Sequence, residues 1–150
     1  MQTYLSVQTA DFDIASEIDS LKSRGAGALV SFVGTVRDSS DDASLIALWL
    51  EHYPDMTEQE IGRIIKAAQA RWPLTAVRVI HRIGRLSPTD NIVFVGVASA
   101  HRDSAFEASR YIMDYLKSAA PFWKAEETAR GKCWVDAKEQ DLEAMARWEA

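Results

Sequence analysis

An α+β fold with a largely antiparallel sheet is what this sequence of 150 residues predicts. Three observations carry the prediction. The segments "DMTEQEIGRIIKAAQARWP" and "DSAFEASRYIMDYLKSAA" place apolar residues at helical spacing with polar residues between them. Several runs rich in Val, Ile and Phe have strand length and are bounded by turn residues. Those runs are joined mostly by short polar turns, so hairpins outnumber crossover units. No linker, repeat or low-complexity segment divides the chain. Residues 1–150 therefore read as one domain, long enough to bury a sizeable core.

Taken in order, a short strand over Tyr4–Gln8 opens the chain. Ile14, Ile18 and Leu21 then stand at helical spacing behind Asp13, a suitable N-cap, and Gly25 and Gly27 stop that helix. "ALVSFVGTVRD" is a buried strand that ends in a polar loop, "DSSDDAS". "LIALWLEHY" is the next strand. In the helix that follows, Thr57 and Glu60 have capping-box spacing, while Ile61, Ile64, Ile65 and Ala68 line one face and Pro73 follows the end. "AVRVIHRIGRL" and "NIVFVGVASA" flank "SPTDN" and predict a hairpin. In the last long helix Ser104 and Glu107 have capping-box spacing, and Pro121 ends it. "GKCWVDAKEQD" supplies a further strand, and a short amphipathic tail a final helical turn.

Charge and composition exclude several classes of function. Seventeen Lys and Arg stand against 22 Asp and Glu, a formal charge of −5, and the basic residues are scattered singly. General nucleic-acid binding needs a basic footprint, which this chain lacks. Cys133 is the only cysteine, which rules out an intramolecular disulfide and a thiolate zinc cluster. The first residues do not have the form of a signal peptide, and no apolar run approaches membrane-spanning length. A cytoplasmic protein is expected.

An anion site would have to be local, built from a few cations that converge. In "SAHRDSAFE", His101 and Arg102 stand where a strand ends and a helix begins. Free N–H groups, the helix dipole and a guanidinium favour a phosphate there. The plainer alternative is that both side chains hydrogen-bond a neighbouring loop. Lys117 lies in the last turn of the same helix, where a cation is favoured by the dipole without any function. Lys124 follows "PFW", whose rings restrict the amine. Partial desolvation near other cations would favour its neutral form, as an acid, base or nucleophile requires. Arg37 ends a strand just after Gly34, where backbone can approach a ligand. His52 and His81 are read as facing solvent or packing. Cys133, beside Trp134, is read as a packing residue, and Glu126 either orients Lys124 or solvates its loop. No His, Asp or Glu pair has convincing metal spacing, so no metal is expected. Arg37, His101, Arg102, Lys117 and Lys124 together suggest a cationic pocket for a small phosphorylated molecule, which spacing does not name.

The chain resembles the large, catalytic subunits of molybdopterin synthase. The resemblance rests on "FVGTVRD", "LEHYPDMTE", "RWPLTAVRVIHRIGRLSPTDNIVFVGVASAHRDSAFEA", "YIMDYLKSAAPFWK" and "WVDAKEQD", and covers nearly everything from Gly27 to Asp141. It implies an α/β-hammerhead with an additional antiparallel β subdomain. It also implies a homodimer of large subunits, each carrying a small ubiquitin-like sulfur carrier that ends in a Gly-Gly thiocarboxylate, a heterotetramer in all. The implied reaction turns cyclic pyranopterin monophosphate into molybdopterin by installing two sulfurs, a step of molybdenum cofactor biosynthesis, without a cofactor of its own.

Carried over by this resemblance, the catalytic residues are Lys117 and Lys124. The substrate contacts are Thr35, Val36, Arg37, His101, Arg102, Lys117, Lys124, Ala125 and Glu126, with Phe32, Met113 and Lys138 lining the pocket. The family's shared pocket implies that His101 and Arg102 serve the partner subunit's site. Lys138 stands where the family leads one to expect an arginine, which would replace a bidentate contact by a single-point one. The acidic loop at 38–44 lacks the glycine often found there. Two other classes stay open on the residues alone. One is a lysine Schiff-base enzyme acting on a phosphorylated carbonyl compound; the other is a non-catalytic module that binds a ubiquitin-like partner.

Overall fold

A computed structural model describes residues 2–40, 43–135 and 139–149. The elements run β1 (Gln2–Gln8), α1 (Ile14–Asp19), β2 (Ala28–Thr35), β3 (Ser39–Ser40), β4 (Ala43–Ser44), β5 (Ala47–His52) and α2 (Met56–Arg71). They continue with β6 (Leu74–Arg82), β7 (Gly84–Leu86), β8 (Asn91–Ser99), α3 (Arg102–Ser118), β9 (Phe122–Thr128), β10 (Gly131–Val135) and α4 (Glu139–Ala146). The architecture is α+β, as the alternation of patterns predicts.

One four-stranded sheet has the order β1–β6–β8–β2. Its β2–β8 and β8–β6 pairings are antiparallel, and β1 lies parallel to β6. Both faces are covered, which is why β8 reads as an unbroken apolar run rather than an alternating one. On one face α2 and α3 pack Ile61, Ile64, Ile65, Ala108, Tyr111 and Ile112 against Val77, Val79, Val93, Val95 and Val97. On the other, Phe12 and Leu21 cover Ala76, Ile80, Phe94 and Ala98. Part-buried Arg78 fastens α1 there through a 2.7 Å hydrogen bond from Nε to the Glu17 carboxylate.

A second sheet, wholly antiparallel, has the order β10–β9–β5–β7. Val36, Leu45, Leu48, Leu50 and Leu86 form the apolar cluster beneath it, and Ile92 of the first sheet packs on that cluster. Gly84, at φ +94, lets the chain leave β6 and enter β7 of the other sheet within two residues. The predicted strand 76–86 is thus divided between two sheets; β6 and β8 still pair antiparallel, but β7 lies in the connection between them.

Several boundaries differ from expectation. The first helix stops at Asp19, and Leu21, fully buried, drops into the core after the Ser20 cap. In α2 the cap is Asp55, whose N–H donates to the Glu58 carboxylate at 3.3 Å, rather than the Thr57–Glu60 pair. Thr57 is fully buried and bonded elsewhere. In α3 the cap is extended His101, whose carbonyl accepts from the Ala105 N–H, so Ser104 is already inside the helix. The segment after Pro121, expected as a loop, is strand β9. Its central position between β5 and β10 satisfies backbone groups that a seven-residue loop would leave to solvent. Within the expected loop 38–44, β3 and β4 pair over two residues each, and Asp41 and Asp42 lie outside the described residues. At the other end of the chain α4 is held by Trp148, whose indole N–H donates to Asp114 at 2.6 Å.

Candidate active site

A cavity of about 310 Å³ opens where the first sheet meets the C-terminal end of α3. β2 contributes Phe32, Val33, Gly34 and Thr35, with Arg37 just beyond its end. β8 adds Ile92 and Val93, β6 adds His81, and α3 adds Met113, Leu116 and Lys117. Local structure explains the set. α3 follows β8 and runs back over the sheet, so its last turns lie above the start of β8 and the end of β2. Met113, Leu116 and Lys117 are three and four residues apart and share one helix face. The volume is that of a small-molecule site, and the walls are apolar with a few convergent polar groups.

Of the residues singled out from the sequence, Phe32, Thr35, Arg37, Met113 and Lys117 lie on this cavity. Val36 turns away from it. Its side chain is buried in the cluster under the second sheet, and its N–H and carbonyl bond Asp90 and Thr89 at 2.9 Å each.

Lys124 and Glu126 come from β9. Alternation along the strand puts Phe122, Lys124 and Glu126 on one face and Ala125 on the other. Lys124 pairs with Leu50 and Val135, Glu126 with Leu48 and Cys133. The Phe122 ring stacks on His81 at 3.9 Å and 20°, so this face of β9 abuts the cavity wall. Ala125 is fully buried between Trp49 and Trp134 in register. The turn between α3 and β9 is held from outside, because the Thr57 hydroxyl donates to the Pro121 carbonyl at 2.9 Å.

His101 and Arg102 are exposed at the other end of α3. Fifteen residues separate Arg102 from Lys117, about 22 Å along a helix at 1.5 Å per residue. Within one chain the two cannot hold the same small molecule. Lys138 lies outside the described residues.

His81 is the cavity residue that the sequence reading passed over as facing solvent or packing. Its signal was present: it follows Val77 and Val79 on the inward face of β6. Burial draws its pKa down from 6.5 to about 4, with Lys117 and His52 adding to the effect and the hydrogen bond to the Arg82 carbonyl opposing it. The imidazole is therefore neutral at pH 7. Among the described residues no group of three or more His, Cys, Asp or Glu is placed to hold a metal ion. No helix among them is long and apolar enough to cross a membrane.

The sequence profile of the MoaE protein family matches residues 7–119. A relative from Ralstonia nicotianae, named molybdopterin synthase catalytic subunit, is 53% identical over 146 residues, covering 96% of this chain and 83% of its own. Among solved structures, the molybdopterin biosynthesis MoaE protein of Burkholderia ambifaria superposes with a TM-score of 0.84 at 46% identity, covering 99% of both chains. Molybdopterin synthase from Staphylococcus aureus gives 0.82 at 28% identity, over 87% of this chain and 95% of that one.

Proposed function

The chain belongs to the MoaE protein family, and on that premise we propose that residues 1–150 form the catalytic subunit of a cytoplasmic molybdopterin synthase. The observation that carries the reading is the cavity that gathers Arg37 and Lys117 from distant parts of the sequence between apolar walls of Phe32 and Met113. The substrate is cyclic pyranopterin monophosphate, and the sulfur donor is the thiocarboxylate of a small ubiquitin-like subunit. A relative's designation as a catalytic subunit accords with such a second component.

In this mechanism Arg37 binds the cyclic phosphate, its guanidinium matching two phosphate oxygens. The thiocarboxylate sulfur attacks a carbon of the chain beside the pterin, forming a C–S bond as a C–O bond to the phosphate breaks. Lys117 and Lys124, approaching from α3 and β9, protonate departing oxygen and activate the water that returns the carrier as a free carboxylate. General acid–base help of this kind supplies about 10²–10⁴-fold. Glu126, on the face of β9 that carries Lys124, orients that lysine.

His101 and Arg102 enter through a second copy. β2 is an edge strand of its sheet, and Phe32 and Phe106 beside it are 41% and 61% exposed. Ala28 pairs with Ser99, so the start of β2 adjoins the start of α3, whereas the end of β2 adjoins Arg37 and Lys117. Antiparallel pairing of two β2 edges about a two-fold axis would therefore carry one subunit's His101 and Arg102 to the other's cavity. A hollow of about 580 Å³ between β2 and the flank of α3, lined in part by Phe106, Arg110 and Asp114, leaves room for the partner copy along that edge.

Reconstitution tests the reading: purified chain, a thiocarboxylated Gly-Gly carrier and cyclic pyranopterin monophosphate should yield the dithiolene product. A chain that binds the carrier yet makes no product would be a binding module instead. A borohydride-trapped imine on Lys117 or Lys124 would point to Schiff-base chemistry.

A further inference from the structure

His81 continues the inward face of β6 to the point where that face leaves the core and meets the cavity. Two contacts fix its ring. Nδ1 lies 2.8 Å from the Arg82 carbonyl, which only accepts, so in the neutral ring the proton sits on Nδ1 and Nε2 carries the lone pair. The ring plane lies on Phe122. Nε2 has no hydrogen-bond partner among the described residues. Lys117, on the same cavity, has neither an ion pair nor a hydrogen bond among them. A fixed acceptor and an unengaged ammonium thus share one small space.

The charged groups around the imidazole favour this pairing. Lys117 faces it from α3, His52 from β5, and Arg37 lines the same cavity beyond the end of β2. The carboxylate beside His52, Glu58, stands 3.7 Å from that histidine rather than against His81. Cationic neighbours and burial both keep the proton off Nε2, so that atom remains an acceptor throughout the neutral range.

We propose that His81 is a positioning residue for the sulfur transfer: its Nε2 accepts a hydrogen bond from the Lys117 amine and holds that amine over the cavity. The inference rests on the synthase reading above. A lysine amine sits on a flexible four-carbon stem, and without a fixed acceptor it spreads over many rotamers.

The test uses the intact chain assembled with a thiocarboxylated carrier. His81→Phe preserves an aromatic stack on Phe122 and deletes the acceptor; His81→Gln restores an acceptor without the ring. Wild-type turnover of cyclic pyranopterin monophosphate is measured first, and its absence would sink the synthase reading rather than the role of His81. With wild-type turnover established, His81→Phe is expected to lose about tenfold in kcat with KM little changed. His81→Gln should recover most of that loss. Melting curves separate folding from positioning: a kcat that falls with Tm and is not rescued by His81→Gln at equal Tm would mean a structural role and overturn the proposal. A wild-type kcat in His81→Phe would overturn it equally.

Discussion

Thr57, on the first turn of α2, holds Pro121, the residue that ends the approach to β9. Its hydroxyl donates to the Pro121 carbonyl at 2.9 Å and accepts the Tyr53 N–H at 2.9 Å, and the side chain is fully buried. Lys117 and Lys124 lie on either side of that turn. Thr57→Val keeps the shape but removes two part-buried hydrogen bonds, at a cost of about 1–3 kcal/mol. Thr57→Ser keeps the hydroxyl and should lose less. Denaturant unfolding of the two variants checks this; equal stabilities would mean that the hydrogen bonds contribute nothing.

Removing either amine should abolish most turnover without unfolding the chain. Lys117 is exposed at the rim of the cavity and Lys124 is half-buried in a strand, so neither stem fills a core position. Lys117→Ala and Lys124→Ala are each expected to lose about 10²–10⁴-fold in single-turnover dithiolene formation. Circular dichroism should be unchanged. Wild-type rates in both would exclude them from the chemistry.

A shared pocket predicts complementation between subunits. Homodimers of Arg37→Ala and of Arg102→Ala should each be inactive. Chains mixed through a dissociation step form mixed dimers in which one pocket carries both changes and the other neither. The mixture should regain about a quarter of wild-type activity, since half the dimers have one intact pocket of two. No recovery would place His101 and Arg102 outside the partner's site.

His81 also links stability to acidity. Its folded pKa, about 4, lies below its ordinary 6.5, so between those values the unfolded chain takes up a proton that the folded one refuses. Its contribution is complete above pH 6.5, falls away as pH drops toward 4, and changes no further below that. The loss is at most about 3 kcal/mol. Urea midpoints at pH 7 and pH 5 should show a drop in the wild type and a smaller one in His81→Gln. An identical drop in both would assign it to other groups.

The C-terminal helix should depend on a single side chain. Trp148 donates to Asp114, and the Arg71 guanidinium lies 5.1–5.5 Å from the rings of Trp72, Tyr111 and Trp148. Trp148→Phe keeps a ring but removes the donor, leaving the part-buried Asp114 carboxylate only its 3.8 Å ion pair to Arg147. A loss of about 1–2 kcal/mol is expected, together with faster proteolysis after residue 135. Unchanged proteolysis would mean that α4 is held by other contacts.

The long helices were legible because one periodicity dominates each, as Ile61, Ile64, Ile65 and Ala68 show. "NIVFVGVASA" was legible as a strand from its β-branched run of strand length after a turn, and its cover on both faces came only with the fold. The caps were less legible. Thr57 and Ser104 have capping chemistry at capping spacing, yet the helices start earlier, capped at Asp55 and at His101. β9 was hidden because "FWKAEET" has no clean alternation, and its strand state comes from β5 and β10 on either side.

The site divides in the same way. Residue types and their local setting already marked Arg37, His101, Arg102, Lys117 and Lys124 as cations in unusual company, and the −5 charge required any anion site to be local. Which of them meet was decided by the tertiary structure alone. Helix geometry, at 1.5 Å per residue, sends Arg102 and Lys117 to opposite ends of α3. Sheet order brings Arg37 beneath Lys117, and strand alternation turns His81 inward to join them. A sequence specifies what each side chain can do chemically, whereas distances between residues remote along the chain exist only once burial of apolar area has chosen one packing of sheets and helices.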